Sequence, residues 1–274
     1  HQSVTLCAKS IRSPATMHSM SESKPAAAAA APTPLTAALQ ARADASIDLL
    51  QDAVRQFRKV VYASSLGAEA MVLTDLLWTH VPGVDIVTID TGRLPDETLA
   101  LVAQLEARYN RRIQVFFPHA AAVEQYVRLN GINGFYESLS QRQDCCAVRK
   151  VEPFNRAVAG YPAWITGVRR EQSAARATNQ PLQLDPRNGM HKVSPLLDWT
   201  EAQIWEYIRA RQLPYNPLHD RGYPSIGCAP CTRAIQPGED HRAGRWWWEQ
   251  AATRECGLQP RQPTGQHGSA SGIS

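Results

Sequence analysis

Apolar residues along the chain recur first at helical spacing, then in short unbroken runs, and the two patterns keep alternating. Ile47, Leu50, Val54 and Phe57 share one face of a helix. Lys59–Ser64 is a β-branched run that predicts a strand ending in Ser64-Ser65-Leu66-Gly67, and Ala68–Thr79 reads as the next helix. Val84–Asp90 predicts a second strand, followed by a Thr91-Gly92 turn and a helix opened by Pro95, a favoured first helical position. Arg112–Phe117 predicts a third strand, Ala120–Leu129 a helix, Trp164–Gly167 a fourth strand and Lys192–Leu196 a further one. Thr200–Ala210 is amphipathic, with Ile204, Tyr207 and Ile208 on one side and Thr200 as N-cap. Such alternation implies an α/β fold, a parallel sheet with right-handed crossovers and helices on both faces. Ligands of such sheets bind beyond the carboxyl ends of the strands. That singles out the loops Ser64–Gly67, Asp90–Arg93 and Gly167–Arg176.

The two ends depart from this pattern. Residues 1–44 are rich in Ala, Ser and Pro, bury little apolar surface and are expected to be a disordered extension. Their basic and serine residues faintly resemble a transit peptide, but the preferred reading is upstream sequence ahead of a start at Met17 or Met20. Residues 45–245 form the expected core domain, and 246–274 a C-terminal segment ending in a mobile Gly/Ser/Gln-rich tail. With 274 residues, 43% of them hydrophobic, the chain can bury one sizeable core. The net charge of +4 is too mild to argue for nucleic acid, so any anion site must come from local arginines. No apolar run reaches transmembrane length. Six cysteines at irregular spacing do not form a secreted disulfide framework, so a reduced, cytoplasmic setting is expected.

Four of those cysteines carry the strongest chemical signal. Cys228-Ala229-Pro230-Cys231 lets two thiolates converge on one side, and Cys145-Cys146 supplies a second pair. Adjacent cysteines strain a tetrahedral single-ion zinc site, whereas a [4Fe–4S] cluster offers a separate iron to each thiolate, so the spacing favours the cluster. Arg149 and Lys150 follow the first pair, and Arg242 and Arg245 follow the second, so both halves carry cations beside an anionic centre. Ser64-Ser65-Leu66-Gly67 at a helix start makes an anion cradle without the lysine of a Walker loop. Arg169, Arg170 and Arg176 follow the fourth strand and suit phosphate or sulfate oxygens, unless Glu171 pairs with them. Of Trp246, Trp247 and Trp248, two are expected to be buried and one to pack on the tail or a partner. His80, His119, His191, His219 and His241 show no metal-ligand spacing and read as surface or satisfied core residues. Cys256, near the end of the chain beside Arg254, is by itself an incidental cysteine unless its thiolate is activated.

Taken together, Cys145-Cys146-x-x-Arg149-Lys150, Gly227-Cys228-x-x-Cys231, Ile89-Asp90-Thr91-Gly92-Arg93-Leu94-Pro95, Gly167-x-Arg169-Arg170-x-Gln172-Ser173, Glu239-Asp240-x-Arg242-Ala243-Gly244-Arg245-Trp246 and Glu255-Cys256-Gly257-Leu258 closely resemble the assimilatory adenylyl-sulfate reductases. These are relatives of the phosphoadenylyl-sulfate reductases, and the resemblance spans about residues 46–259. It implies a Rossmann-like adenine-nucleotide α-hydrolase fold. It also implies reduction of adenosine 5′-phosphosulfate to sulfite and AMP, with thioredoxin as electron donor. In that role Cys256 is the catalytic nucleophile that becomes S-sulfonated. Lys150, Arg242 and Arg245 neutralise the phosphosulfate, and Ser64, Ser65, Gly167 and Arg176 hold the nucleotide. Cys145, Cys146, Cys228 and Cys231 bind the [4Fe–4S] cluster, a structural and electrostatic element rather than the electron source. The family's tail usually continues Cys-Gly-Leu-His, and Gln259 stands here in place of the histidine. No thioredoxin-like domain follows, so the expected donor is a separate protein; neither nucleic acid nor membrane is an expected partner. Two alternatives stay open: a reductase for the 3′-phosphorylated substrate, and a cluster- or zinc-bearing tRNA thiolation module on a similar fold.

Overall fold

The computed structural model describes residues 33–172, 176–186, 188–250, 254 and 258. The expectations placed on residues 1–32, Ser173, Cys256 and Gln259 lie outside these residues. Helix α1 (Ala37–Phe57) leads into β1 (Val60–Ser64), α2 (Ala68–His80), β2 (Asp85–Ile89), α3 (Asp96–Tyr109), β3 (Gln114–Phe116) and α4 (Ala120–Asn130). Helix α5 (Leu139–Cys146) then passes through a π turn, Ala147–Val151, into α6 (Glu152–Val158). Strands β4 (Ala163–Ile165), β5 (Leu182–Asp185) and β6 (Met190–Val193) and helix α7 (Glu201–Ala210) complete the regular elements.

The six strands form one sheet in the order β3-β2-β1-β4-β6-β5. Every pairing is parallel except the last, where β5 returns antiparallel on β6 at the edge. The period-two alternation of β1 explains the layering. Val60 and Tyr62 face a core shared with α1, α2, α3 and α7, whereas Val61 faces a smaller core with Phe154, Ala157 and Val158 of α6. Helices therefore cover both faces, as the alternating pattern implies. Edge strand β5 was not foreseen from the sequence. It has one fully buried residue, Asp185, and a half-exposed remainder, which leaves no core periodicity to read.

Helix α1 starts at Ala37, so the boundary expected at residue 44 falls inside a helix. The Thr36 hydroxyl caps it by accepting from the Leu39 amide, and Leu39 and Ala43 are buried. Alanine is the best helix former, and here two apolar positions turn an Ala-rich stretch into an amphipathic turn. Ser46 then ties α1 to the segment that follows β6: its hydroxyl donates to the Pro195 carbonyl (2.8 Å) and accepts from the Trp199 indole (3.0 Å). Helix α7 begins with Thr200 as its N-cap, as the sequence predicts, and Gln203 completes a reciprocal capping box. Among the described residues no helix is long and apolar enough to cross a membrane.

Candidate functional site

The carboxyl ends of β1, β2 and β4 open into one cavity. Strand β1 delivers Ser64 and Ser65 to its floor. Leu66 takes the left-handed conformation (φ 58°), a strained state for a branched side chain costing about 1–3 kcal/mol. Its amide donates to the Ser64 hydroxyl at 3.3 Å, and the Thr88 hydroxyl of β2 donates to the Ser64 carbonyl at 3.0 Å. Gly67 caps α2 without a side chain, leaving the helix start open toward the cavity. That is the geometry of an anion cradle.

After β4, the three arginines part company. Arg169 is buried and its guanidinium is held by Glu69 (2.8 Å) and by Glu171. Arg170 pairs with Asp198 (2.7 Å) and donates to the carbonyls of Ala177 (2.9 Å) and Asn179. Only Arg176 of the three lines the cavity, where it donates to the Gln172 side chain. The loop's charge thus mostly braces the loop. Gly167 permits this closeness, since a Cβ there would stand 3.0 Å from the Glu69 Cβ.

The cysteine pairs meet in a second layer of the cavity. Cys145 and Cys146 end α5, while Cys228 precedes and Cys231 closes a 3-10 turn, Ala229–Cys231. All four are free thiols in one apolar cluster with Tyr126, Phe135 and Trp246. Burial pushes the Cys145 thiol up to about 11, Cys146 upward and Cys231 well above the ordinary thiol range. Neighbouring thiolates push the same way. Arg149 and Arg93 oppose the rise at Cys145, Arg142 and Lys150 at Cys146, and Arg245 at Cys231. The Thr91 hydroxyl lies 3.2 Å from the Cys228 sulfur. The π turn widens the helix just after Cys146. It seats Arg149 inward, donating to the Thr91 carbonyl at 2.9 Å, and leaves Lys150 on the cavity wall. Among the described residues no three His, Cys, Asp or Glu side chains form a group that could hold a single metal ion.

The last wall comes from the C-terminal segment. Arg245 enters across Gly227, where any Cβ would lie 2.2 Å from its guanidinium. It stacks on Trp246 at 4.5 Å from the ring centre, and Arg142 stacks on the same indole at 4.8 Å. Arg142 forms a buried bidentate pair with Glu249 (2.7 and 2.9 Å). Such a pair fixes the segment strongly, because removing one partner strands the other charge at a cost of about 3–5 kcal/mol. Beyond it, Arg242 donates to the Arg254 carbonyl (3.0 Å), and Arg254 donates to the Glu249 carbonyl (2.9 Å). Leu258 lines the cavity and packs on the α6 side of the sheet. Of the three tryptophans, Trp246 is buried, Trp248 half-buried and Trp247 exposed.

Ser64, Ser65, Lys150, Gly167, Arg176, Arg242, Arg245 and the four cysteines all line this one cavity. Cys256 lies outside the described residues; Leu258 lines the cavity, and the Arg254 carbonyl accepts from the cavity-lining Arg242. Sequence reasoning missed Glu69 as a brace and the Arg142–Glu249 pair, whose partners are 107 positions apart. It also passed over His219 on the cavity wall.

The family profile described as the phosphoadenosine phosphosulfate reductase domain matches residues 59–234. The adenosine 5′-phosphosulfate reductase of Allochromatium vinosum is 51% identical over 238 residues, covering 85% of this chain and 93% of its own. The protein of that name from Burkholderia cepacia is 51% identical over 232 residues, covering 85% and 92%. Among solved structures, the phosphoadenylyl-sulfate reductase of Candida auris in complex with phosphate superposes with a TM-score of 0.60 at 26% identity, covering 74% of this chain and 100% of that one.

Proposed function

Since the chain belongs to the phosphoadenosine phosphosulfate reductase family, we propose a mechanism for it in which Cys256 is the nucleophile and a separate thioredoxin the reductant. Its activity is that of an adenosine 5′-phosphosulfate reductase, an oxidoreductase acting on a sulfur group in sulfate assimilation. In the first step the Cys256 thiolate attacks the sulfate sulfur. A sulfur–sulfur bond forms, the sulfur–oxygen bond to phosphate breaks, and AMP leaves with the electron pair. In the second, a thioredoxin thiolate attacks the Cys256 sulfur and sulfite leaves with its pair. The donor's other thiol then closes a disulfide, so the two electrons come from thioredoxin.

One observation carries this reading. The cavity gathers the Ser64–Gly67 cradle, Lys150, Arg176, Arg242 and Arg245 in one place, and Leu258, two residues after Cys256 in the sequence, lines it as well. Lys150, Arg242 and Arg245 stabilise the charge that collects on phosphate as AMP departs. Ser64, Ser65, Gly167 and Arg176 hold the nucleotide. Cys145, Cys146, Cys228 and Cys231 hold a [4Fe–4S] cluster, as their free thiols and attendant cations support. When bound, that cluster supplies a buried charge centre beside the site. A cytoplasmic setting, which keeps all these thiols reduced, fits this chemistry.

The test is a single turnover. Wild-type protein given adenosine 5′-phosphosulfate without thioredoxin is expected to gain one SO₃ group on the peptide carrying Cys256, and reduced thioredoxin to remove it. Cys256→Ser is expected to bind AMP normally and to make no sulfite, because a serine hydroxyl is a far weaker nucleophile than a thiolate. An adduct on another cysteine, or full turnover by the serine variant, sinks the covalent mechanism.

A further inference from the structure

Trp246 holds a backbone conformation that its side chain disfavours. It is left-handed (φ 43°), a state that a bulky residue keeps only where its surroundings over-determine it. The residue before it, Arg245, is the cation that enters the cavity across Gly227. The turn at Trp246 therefore sets the direction from which that guanidinium arrives. Two backbone hydrogen bonds hold the turn. The Trp246 amide donates to the Cys231 carbonyl (3.1 Å), and the Glu249 amide donates to the Trp246 carbonyl (2.8 Å). Trp246–Glu249 belongs to no helix or strand, so its side-chain contacts with regular elements do much of the fixing. The side chains of Trp246 and Glu249 both meet one residue, Arg142.

Arg142 stands on α5, one helical turn before Cys146, with its side chain only 2% exposed. Its guanidinium has three partners. Two of its nitrogens donate to the Glu249 carboxylate (2.7 and 2.9 Å), it stacks on the Trp246 indole (4.8 Å from the ring centre), and it donates to the Cys146 sulfur. A planar fork serves all three at once, which the compact ammonium of a lysine does not. Arg245 stacks on the same indole at 4.5 Å and donates to the Ile226 carbonyl at 3.2 Å. One indole thus lies between the buried cation of α5 and the cation of the substrate cavity in the chain of contacts.

Resting on the nucleotide-reductase reading above, we infer that Arg142 is a positioning residue for the substrate's phosphate: by pinning Trp246 and Glu249 to α5, it holds the strained turn that aims Arg245 into the cavity. Arg142 also borders the cavity, so direct contact with the phosphate is the rival explanation. The experiment measures binding of AMP and of adenosine by calorimetry to the wild-type protein, Arg142→Lys and Glu249→Gln, each with and without Arg245→Ala. Adenosine lacks the phosphate and reports whether the nucleoside site survives. Arg142→Lys keeps the charge and loses the fork. It is expected to weaken AMP about 10-fold, the scale of one charge-assisted contact, and to leave adenosine within about 2-fold of wild type. Glu249→Gln is expected to change AMP binding in the same direction, again sparing adenosine. In Arg245→Ala protein neither substitution is expected to cost anything further, because residues that act through one another are not additive. The inference is overturned if a folded variant keeps wild-type AMP binding, or if AMP and adenosine weaken together, as damage to the fold would make them. It is equally overturned if the full loss persists beside Arg245→Ala, which would make Arg142 a direct contact. Where one variant fails to fold, the other decides. A wild-type protein that binds no AMP would instead sink the nucleotide reading, and this inference with it.

Discussion

Arg245 reaches the cavity through a gap that exists only because position 227 has no side chain. Gly227→Ala places a methyl group 2.2 Å from the guanidinium, and the arginine, not the backbone, is the part that can move. The expected outcome is a loss of at least ~10-fold in kcat/KM, the scale of one displaced charge-assisted contact, with a nearly unchanged melting temperature. Wild-type kinetics in Gly227→Ala would remove Arg245 from substrate binding. At this scale the sequence was legible wherever a residue type has few uses. Paired cysteines, a serine-rich turn after a strand and arginines beside both announced their chemistry. It was illegible where partners decide the role: Arg169 and Arg170 look like Arg176 in the sequence, yet Glu69, Glu171 and Asp198 claim them. His219 read only as a surface or satisfied core residue, because nothing local in the sequence places it on the cavity wall.

At the scale of elements, the helices and parallel strands with strong periodicity were legible, and those whose burial comes from elsewhere were not. Strand β5 lies at an edge and α1 begins in alanines, so neither shows a core stripe at the point where it was missed. Three helices are joined by one carboxylate. Asp75 of α2 accepts from Tyr109 of α3 (2.6 Å) and Tyr207 of α7 (2.7 Å). Burial and this carboxylate together raise both tyrosine pKa values, so the hydroxyls stay protonated and donating. Asp75→Ala strands two donors in a buried site and is expected to destabilise the fold by about 2–4 kcal/mol. Urea unfolding measures this, and a shift in midpoint without a change in slope would locate the effect in the native state. A variant as stable as the wild type would mean that the helices hold together by apolar packing alone.

For the molecule as a whole, the proposed four-thiolate centre predicts a brown protein with about four irons per chain when purified without oxygen. Cys228→Ser is expected to strip that iron, because among the described residues no fifth thiol joins Cys145, Cys146 and Cys231 to replace it. Stoichiometric zinc with no iron would overturn the cluster. The same cavity has a further consequence, because its walls come from Ala63 at one extreme and Leu258 at the other, with β2, α5, α6, β4 and the loop before Cys228 in between. Bringing together segments so far apart is slow, since loop closure is opposed by chain entropy until the final contacts form. Helices of this protein can form early in refolding, whereas competence to bind nucleotide must await the arrival of the chain's last segment. On dilution from denaturant, nucleotide binding is therefore expected to return later than far-ultraviolet ellipticity. The catalytic centre would then be the final thing this polypeptide makes of itself, and a chain halted before its last segment would be folded in outline but inert.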